Sequence, residues 1–335
     1  MKELTKRNIN IDFIKVCAVF FVISIHFFLN TGFYKTNISC PRMYIMVGMR
    51  TFFMMCVPLF ILITGYLMNK KVFSIKYYNG LKKIVIPYLI LTIITLFARI
   101  FLCQYGIFDT GNTDYYLKEF YKFHIIGYAW YVEMYIGLFL LVPFINKMCS
   151  NNRLQDTALL ITFSFLTVTP VVIKYWSKLW IITYYMIGAY IYKYKVKVNQ
   201  KYLLSAFLCS IIIFSLINIF LTRGHNFQLY GLDNWGVIEN AINSTLFFLI
   251  LLNINLNKLS EKIKNIISYI ANLSLSIYLS SYLCDKVVYH YFNTYITNTT
   301  AKLEWFIIIV PIVFICSTLL AICTNKIYKI LTNNI

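Results

Sequence analysis

Apolar residues along this chain fall into long unbroken runs, and the polar residues gather in short stretches between them. Such runs cover residues 12–30, 44–68, 84–103, 125–146, 157–173, 178–194, 203–221, 237–253, 266–289 and 305–328. A helix needs about 20 apolar residues to cross the hydrocarbon of a bilayer. The pattern therefore predicts an all-α, polytopic transmembrane helix bundle with about ten membrane-spanning helices. The whole chain, 1–335, reads as one integral membrane domain without a separate soluble domain. The fourth to sixth runs have blurred boundaries or fall short in length. No internal repeat is visible, which weakens a fold built from inverted halves.

Composition sharpens this reading. Of 335 residues, 60% are hydrophobic and 13% are charged, against about 25% charged in ordinary soluble domains. The net charge of +19 would suit nucleic acid, but the basic residues sit in short runs between apolar segments and form no continuous face. With the N-terminus in the cytoplasm, the inner connections hold 19 Lys and Arg and the outer ones 9. Short cytoplasmic loops are enriched in these residues, so both termini are expected inside, in a multi-pass membrane protein. The first run is of spanning length and lacks a small-residue cleavage site, unlike a cleaved signal. The nine cysteines show no metal or redox spacing. They read as small hydrophobes, with Cys40 and Cys103 alone placed near the outer surface where a disulfide could form.

Ionisable groups inside lipid are costly and mark function. The first run carries Asp12, Lys15 and His26. Eleven residues make three helical turns plus about 20°, so Lys15 and His26 share a face, about 16 Å apart along the axis. Lys15 could snorkel to headgroups and His26 could bond another helix. His26 is nonetheless the best general-base candidate, because imidazole titrates near neutrality. His124, His225 and His290 fall at run edges or in outer loops. Arg50 lies toward the outer end of the second run. After it come Lys70, Lys71, Lys76, Lys82 and Lys83, which either orient the helices or hold a cytoplasmic phosphate. Glu133 in the fourth run needs a partner, with Arg50, Arg99 and His26 as alternatives. Asp285 poses the same question more weakly, near the end of the ninth run.

Together these stretches resemble the acyltransferase 3 family of bacterial membrane proteins. The likeness rests on Asp12…Lys15…His26, Thr64-Gly65-Tyr66-Leu67 after Pro58, Lys82-Lys83 before Pro87, Trp130-Tyr131…Pro143, Tyr185…Gly188 and Leu273…Ile277-Tyr278-Leu279. Lysine stands at 15 where arginine is more usual, and threonine at 64 where serine is common. Histidines that often follow the isoleucine-tyrosine-leucine run and precede the tryptophan are replaced by Ser280-Ser281 and Ala129. The resemblance implies transfer of an acyl group, usually acetyl, from cytoplasmic acyl-CoA to a hydroxyl of an extracytoplasmic carbohydrate. In that reading Lys15, Lys82 and Lys83 hold the acyl-CoA phosphates, and His26 is base or acyl carrier. Arg50 or Arg99 stabilises the oxyanion and Glu133 orients a cation. Acyl-CoA is a donor substrate, with no permanently bound cofactor, metal or nucleic acid expected. The chain would act alone, as a homo-oligomer, or with a separate partner. Rival readings are an exporter of polysaccharide or small solute, and a membrane sensor whose polar residues are structural glue.

Overall fold

The computed structural model describes residues 7–109, 111–149, 152–168, 174–227 and 235–333. In chain order the helices are α1 (Ile9–Asn30), α2 (Pro41–Phe53), α3 (Cys56–Met68), α4 (Ile75–Tyr78), α5 (Lys82–Leu102), α6 (Thr113–Tyr121) and α7 (Trp130–Met148). They continue with α8 (Arg153–Thr167), α9 (Trp180–Lys193), α10 (Gln200–Thr222), α11 (Ile238–Asn253), α12 (Glu261–Tyr295), α13 (Thr299–Lys302) and α14 (Phe306–Asn333). Among the described residues there is no strand; two isolated bridges join the loop at Asn37 and Ile38 to that at Arg223 and Asn226. Helix starts are marked by side chains that accept from free backbone N–H groups, as Asn8, Asn152, Asn199 and Ser260 do.

Every predicted apolar run contains helix, but among the described residues seven stretches are long and apolar enough to cross a membrane. Helices α8, α9 and α11 have 15, 14 and 16 residues, short of the usual span. The end of the expected run 157–173 lies outside the described residues from 169 onward. The run at 44–68 is broken at Met54–Met55 into α2 and α3. Pro58 is the cause. It has no N–H to offer the Met54 carbonyl, and its ring crowds that carbonyl four residues back. The break turns Met54, Cys56 and Val57 toward one cavity. All nine cysteines, Cys40 and Cys103 included, are free.

Helix α1 is the axis of the bundle, packed against α12, α3, α2, α14 and α11. Helix α10 shows what faces lipid. Leu208, Ile212, Leu216 and Phe220, spaced by one turn, are exposed, whereas Ser210 and Asn218 turn inward. Ser210 donates to Asn243 at 2.5 Å, and the Asn218 amide donates to Glu239 at 2.9 Å and to Thr51 at 3.1 Å. Polar groups in a membrane bundle are kept for such contacts between helices. The closest contact is between α3 and α9. A Cβ at Gly65 would stand 1.9 Å from the Tyr185 carbonyl oxygen, and one at Gly188 2.1 Å from that of Leu62. Two motifs far apart in sequence are thus the halves of one backbone-to-backbone contact.

Candidate functional site

His26 projects from α1 toward α12, where the fully buried Asp285 meets it. Its Nδ1 lies 3.1 Å from the Asp285 Oδ2. The same oxygen accepts the Tyr128 hydroxyl at 2.8 Å, and the Tyr128 ring lies on the imidazole with centroids 3.7 Å apart and 32° between planes. Tyr128 belongs to the irregular segment before α7. It is pinned there because Tyr278 of α12 donates to its carbonyl at 2.5 Å. Asn30, one turn beyond His26, donates to the His26 carbonyl at 2.8 Å and to the Tyr128 hydroxyl at 3.3 Å. The two groups stand at ion-pair distance without a formed hydrogen bond at Nδ1; a carboxylate on that side favours the tautomer with the proton on Nδ1 and leaves Nε2 as the proton acceptor. Inside a bundle an unpaired carboxylate would be expensive, so the pairing with His26 and Tyr128 also explains how Asp285 is tolerated.

Two cavities follow the face of α1 that carries Lys15 and His26. One, of about 440 Å³, is lined by His26, Tyr34, Cys56, Tyr128, Trp130 and Trp235 among others. The other, of about 240 Å³, is lined by Lys15, Thr64, Ile84, Tyr131, Tyr135 and Ser274 among others. Both are bounded by Val22, Val57 and Tyr278. Those three side chains form the partition between a space holding a lysine and a space holding the imidazole. The shared face expected from the eleven-residue spacing is what the cavities follow.

The other expected residues are placed as follows. Arg50 is fully buried and does not line the His26 cavity; its Nε donates to the Tyr34 hydroxyl at 2.9 Å, and its guanidinium lies 4.3 Å from the Phe227 ring centre. It meets the cavity through Tyr34. Arg99 reaches the Ile125 carbonyl and the Tyr115 hydroxyl, each at 3.4 Å, with Glu119 at 4.0 Å. Glu133 is exposed on α7 and makes no ion pair among the described residues. The expected pairing of Glu133 with Arg50, Arg99 or His26 is therefore replaced: the acid at His26 is Asp285. Lys82 and Lys83 are exposed at the start of α5, next to Ile84 of the smaller cavity. Asp12 is a clamp. It pairs with Arg7 and accepts from Ser268 at 2.8 Å, while Arg7 donates to the Ser268 carbonyl and to Asn272 of α12.

One signal for Asp285 is present in the sequence. Asp285 follows Tyr278 by seven residues and Ser281 by four, so it shares their face of α12. It also stands well inside its helix, because α12 continues to Tyr295, beyond the apolar run that suggested an end at 289. Tyr128 has no helical periodicity to betray it.

The acyltransferase 3 family model, an acyltransferase domain, matches residues 8–322. No curated protein and no solved structure matches the chain.

Proposed function

The chain belongs to the acyltransferase 3 family, and from that premise we propose that it moves an acyl group, usually acetyl, from acyl-CoA to a hydroxyl of an extracytoplasmic carbohydrate. The observation that carries this reading is His26, backed by the buried Asp285, lining a cavity that shares a wall with the one lined by Lys15. The lysine-rich end of the bundle, where α1 begins and α3 and α9 finish, is the cytoplasmic one under the positive-inside rule. Both termini then lie inside. A cysteine introduced at 112 should react with an impermeant thiol reagent in intact cells; reaction only after lysis would reverse the topology.

In the reaction, Lys15 meets the phosphates of the donor, with Lys82 and Lys83 at the outer rim. The thioester arm passes Val22, Val57 and Tyr278 to reach His26. His26 Nε2 takes the proton from the acceptor hydroxyl as its oxygen attacks the thioester carbonyl. The imidazolium, stabilised by Asp285, then gives that proton to the departing thiolate. The alternative, in which Nε2 itself carries the acyl group, uses the same atom and the same partner. Arg50 acts through Tyr34. Because the Tyr34 oxygen accepts from Arg50, its own O–H is left to donate into the cavity, where a tetrahedral oxyanion needs a donor. The test is CoA release and acyl transfer by purified protein in nanodiscs given labelled acetyl-CoA. His26→Ala should lower the rate by about 10²–10⁴-fold with the protein still inserted. Full activity in that variant, or glycan movement without CoA release, would overturn the reading.

A further inference from the structure

The two connections richest in lysine, 69–83 and 193–202, meet at one place. A cleft of about 750 Å³ at the lysine-rich end of the bundle is lined by Lys70 after α3, by Lys193 at the end of α9 and Lys195 and Lys197 after it, and by Tyr66 and Tyr192. Lys193 is held by Asp156. Lys70, Lys195 and Lys197 are exposed and make no ion pair among the described residues. None of the residues lining the cleft is a carboxylate. Like charges gathered around one concavity repel, and an anion placed among them relieves the repulsion. The wall is aromatic as well as basic. Tyr66 and Tyr192 meet edge to face at 5.1 Å, and the Lys70 ammonium stands 5.5 Å from the Tyr192 ring centre.

We propose that this cleft binds the phosphorylated nucleoside end of the acyl donor, with the lysines on phosphate and the tyrosines against the base. A lipid headgroup would use the charge but leave the aromatic wall without a planar partner. The placement fits the donor's path. Tyr66, Asn69 and Lys70 face the cleft while their neighbours Leu67 and Met68 line the Lys15 cavity. Asn8, which caps α1, lines the cleft, and Lys15 lines the cavity, seven residues and about 10 Å further along. One molecule can therefore lie in both. The identity of the ligand rests on the acyl-CoA reading above; the existence of the site does not.

The probe is adenosine 3′,5′-bisphosphate, titrated calorimetrically into protein in neutral phosphatidylcholine nanodiscs. Binding should weaken about tenfold or more in Lys195→Glu/Lys197→Glu, since charge-assisted contacts are lost and repulsion replaces them. Lys195→Arg/Lys197→Arg should restore it, and Tyr192→Ala should weaken the bisphosphate but not inorganic phosphate. His26→Ala, which removes turnover under the donor reading, should leave probe binding intact, so loss of catalysis and loss of the site are separately read. Absence of probe binding, indifference to the charge reversal, or displacement of the probe by phosphatidylglycerol in the nanodisc would each overturn the proposal, the last by assigning the cleft to lipid.

Discussion

Replacing Asp285 with asparagine tests the site at its most buried point. The substitution keeps the shape and a hydrogen-bonding oxygen for Tyr128 but removes the charge 3.1 Å from His26 Nδ1. At that separation and an effective dielectric near 20, the attraction between carboxylate and imidazolium is about 5 kcal/mol. That corresponds to almost four powers of ten in rate, if the imidazolium forms fully at the transition state. The residual dipole of asparagine and relaxation around it retain part of this, so the expected fall in kcat is about 10²–10⁴-fold. The KM for acyl-CoA should stay unchanged, because Lys15 lies about 16 Å away along α1. The assay is release of CoA in nanodiscs, with the amount of folded protein measured by size-exclusion chromatography on the same samples. The double variant His26→Ala/Asp285→Asn should be no slower than His26→Ala alone, since two groups acting as a unit are not additive. Activity of Asp285→Asn within about twofold of the parent would refute the assignment of Asp285 as the partner that makes His26 a base.

Lys15→Ala should raise the KM for acyl-CoA more than it lowers kcat, and Lys15→Arg should retain activity, because in the proposed reaction the charge serves binding rather than chemistry; steady-state kinetics with varied donor decides it. Tyr34→Phe removes the hydroxyl that links buried Arg50 to the cavity, and kcat should fall about 10²–10³-fold, the usual cost of one oxyanion donor, with the KM for donor unmoved. Gly65→Ala should lower the thermal stability of the detergent-solubilised protein by the equivalent of about 1–3 kcal/mol or more, because its Cβ would meet the Tyr185 carbonyl at 1.9 Å. Gly137→Ala, with nothing within 4 Å of the added atom, is the control and should leave the melting temperature in place.

What could be read from sequence and what could not divides along a physical line. The Lys15–His26 face follows from the helical period alone, and the two cavities lie along that face. Hydropathy also located every described helix longer than nine residues, yet it reports only that a segment is buried in something apolar. It cannot separate a span from the short helices α8, α9 and α11, nor foresee that Pro58 breaks one run in two. Partners were the hardest to read. Glu133 and Asp285 are equally costly residues by composition, and which of them meets His26 depends on how α12 packs on α1, a contact between opposite ends of the chain.

Neither Ser280–Ser281 nor Ala129, the places where the resemblance would suggest a second histidine, holds a titratable group. Ser281 is buried and donates to the Tyr278 carbonyl at 2.8 Å. Four residues on, one turn along the same face, Asp285 presents a carboxylate to His26 and to Tyr128. Beside Ala129, Tyr128 supplies the ring that lies on His26. An imidazole base needs a group that fixes its tautomer and stabilises its cation, and a carboxylate does both. The chemistry proposed for this chain therefore needs one histidine and not two.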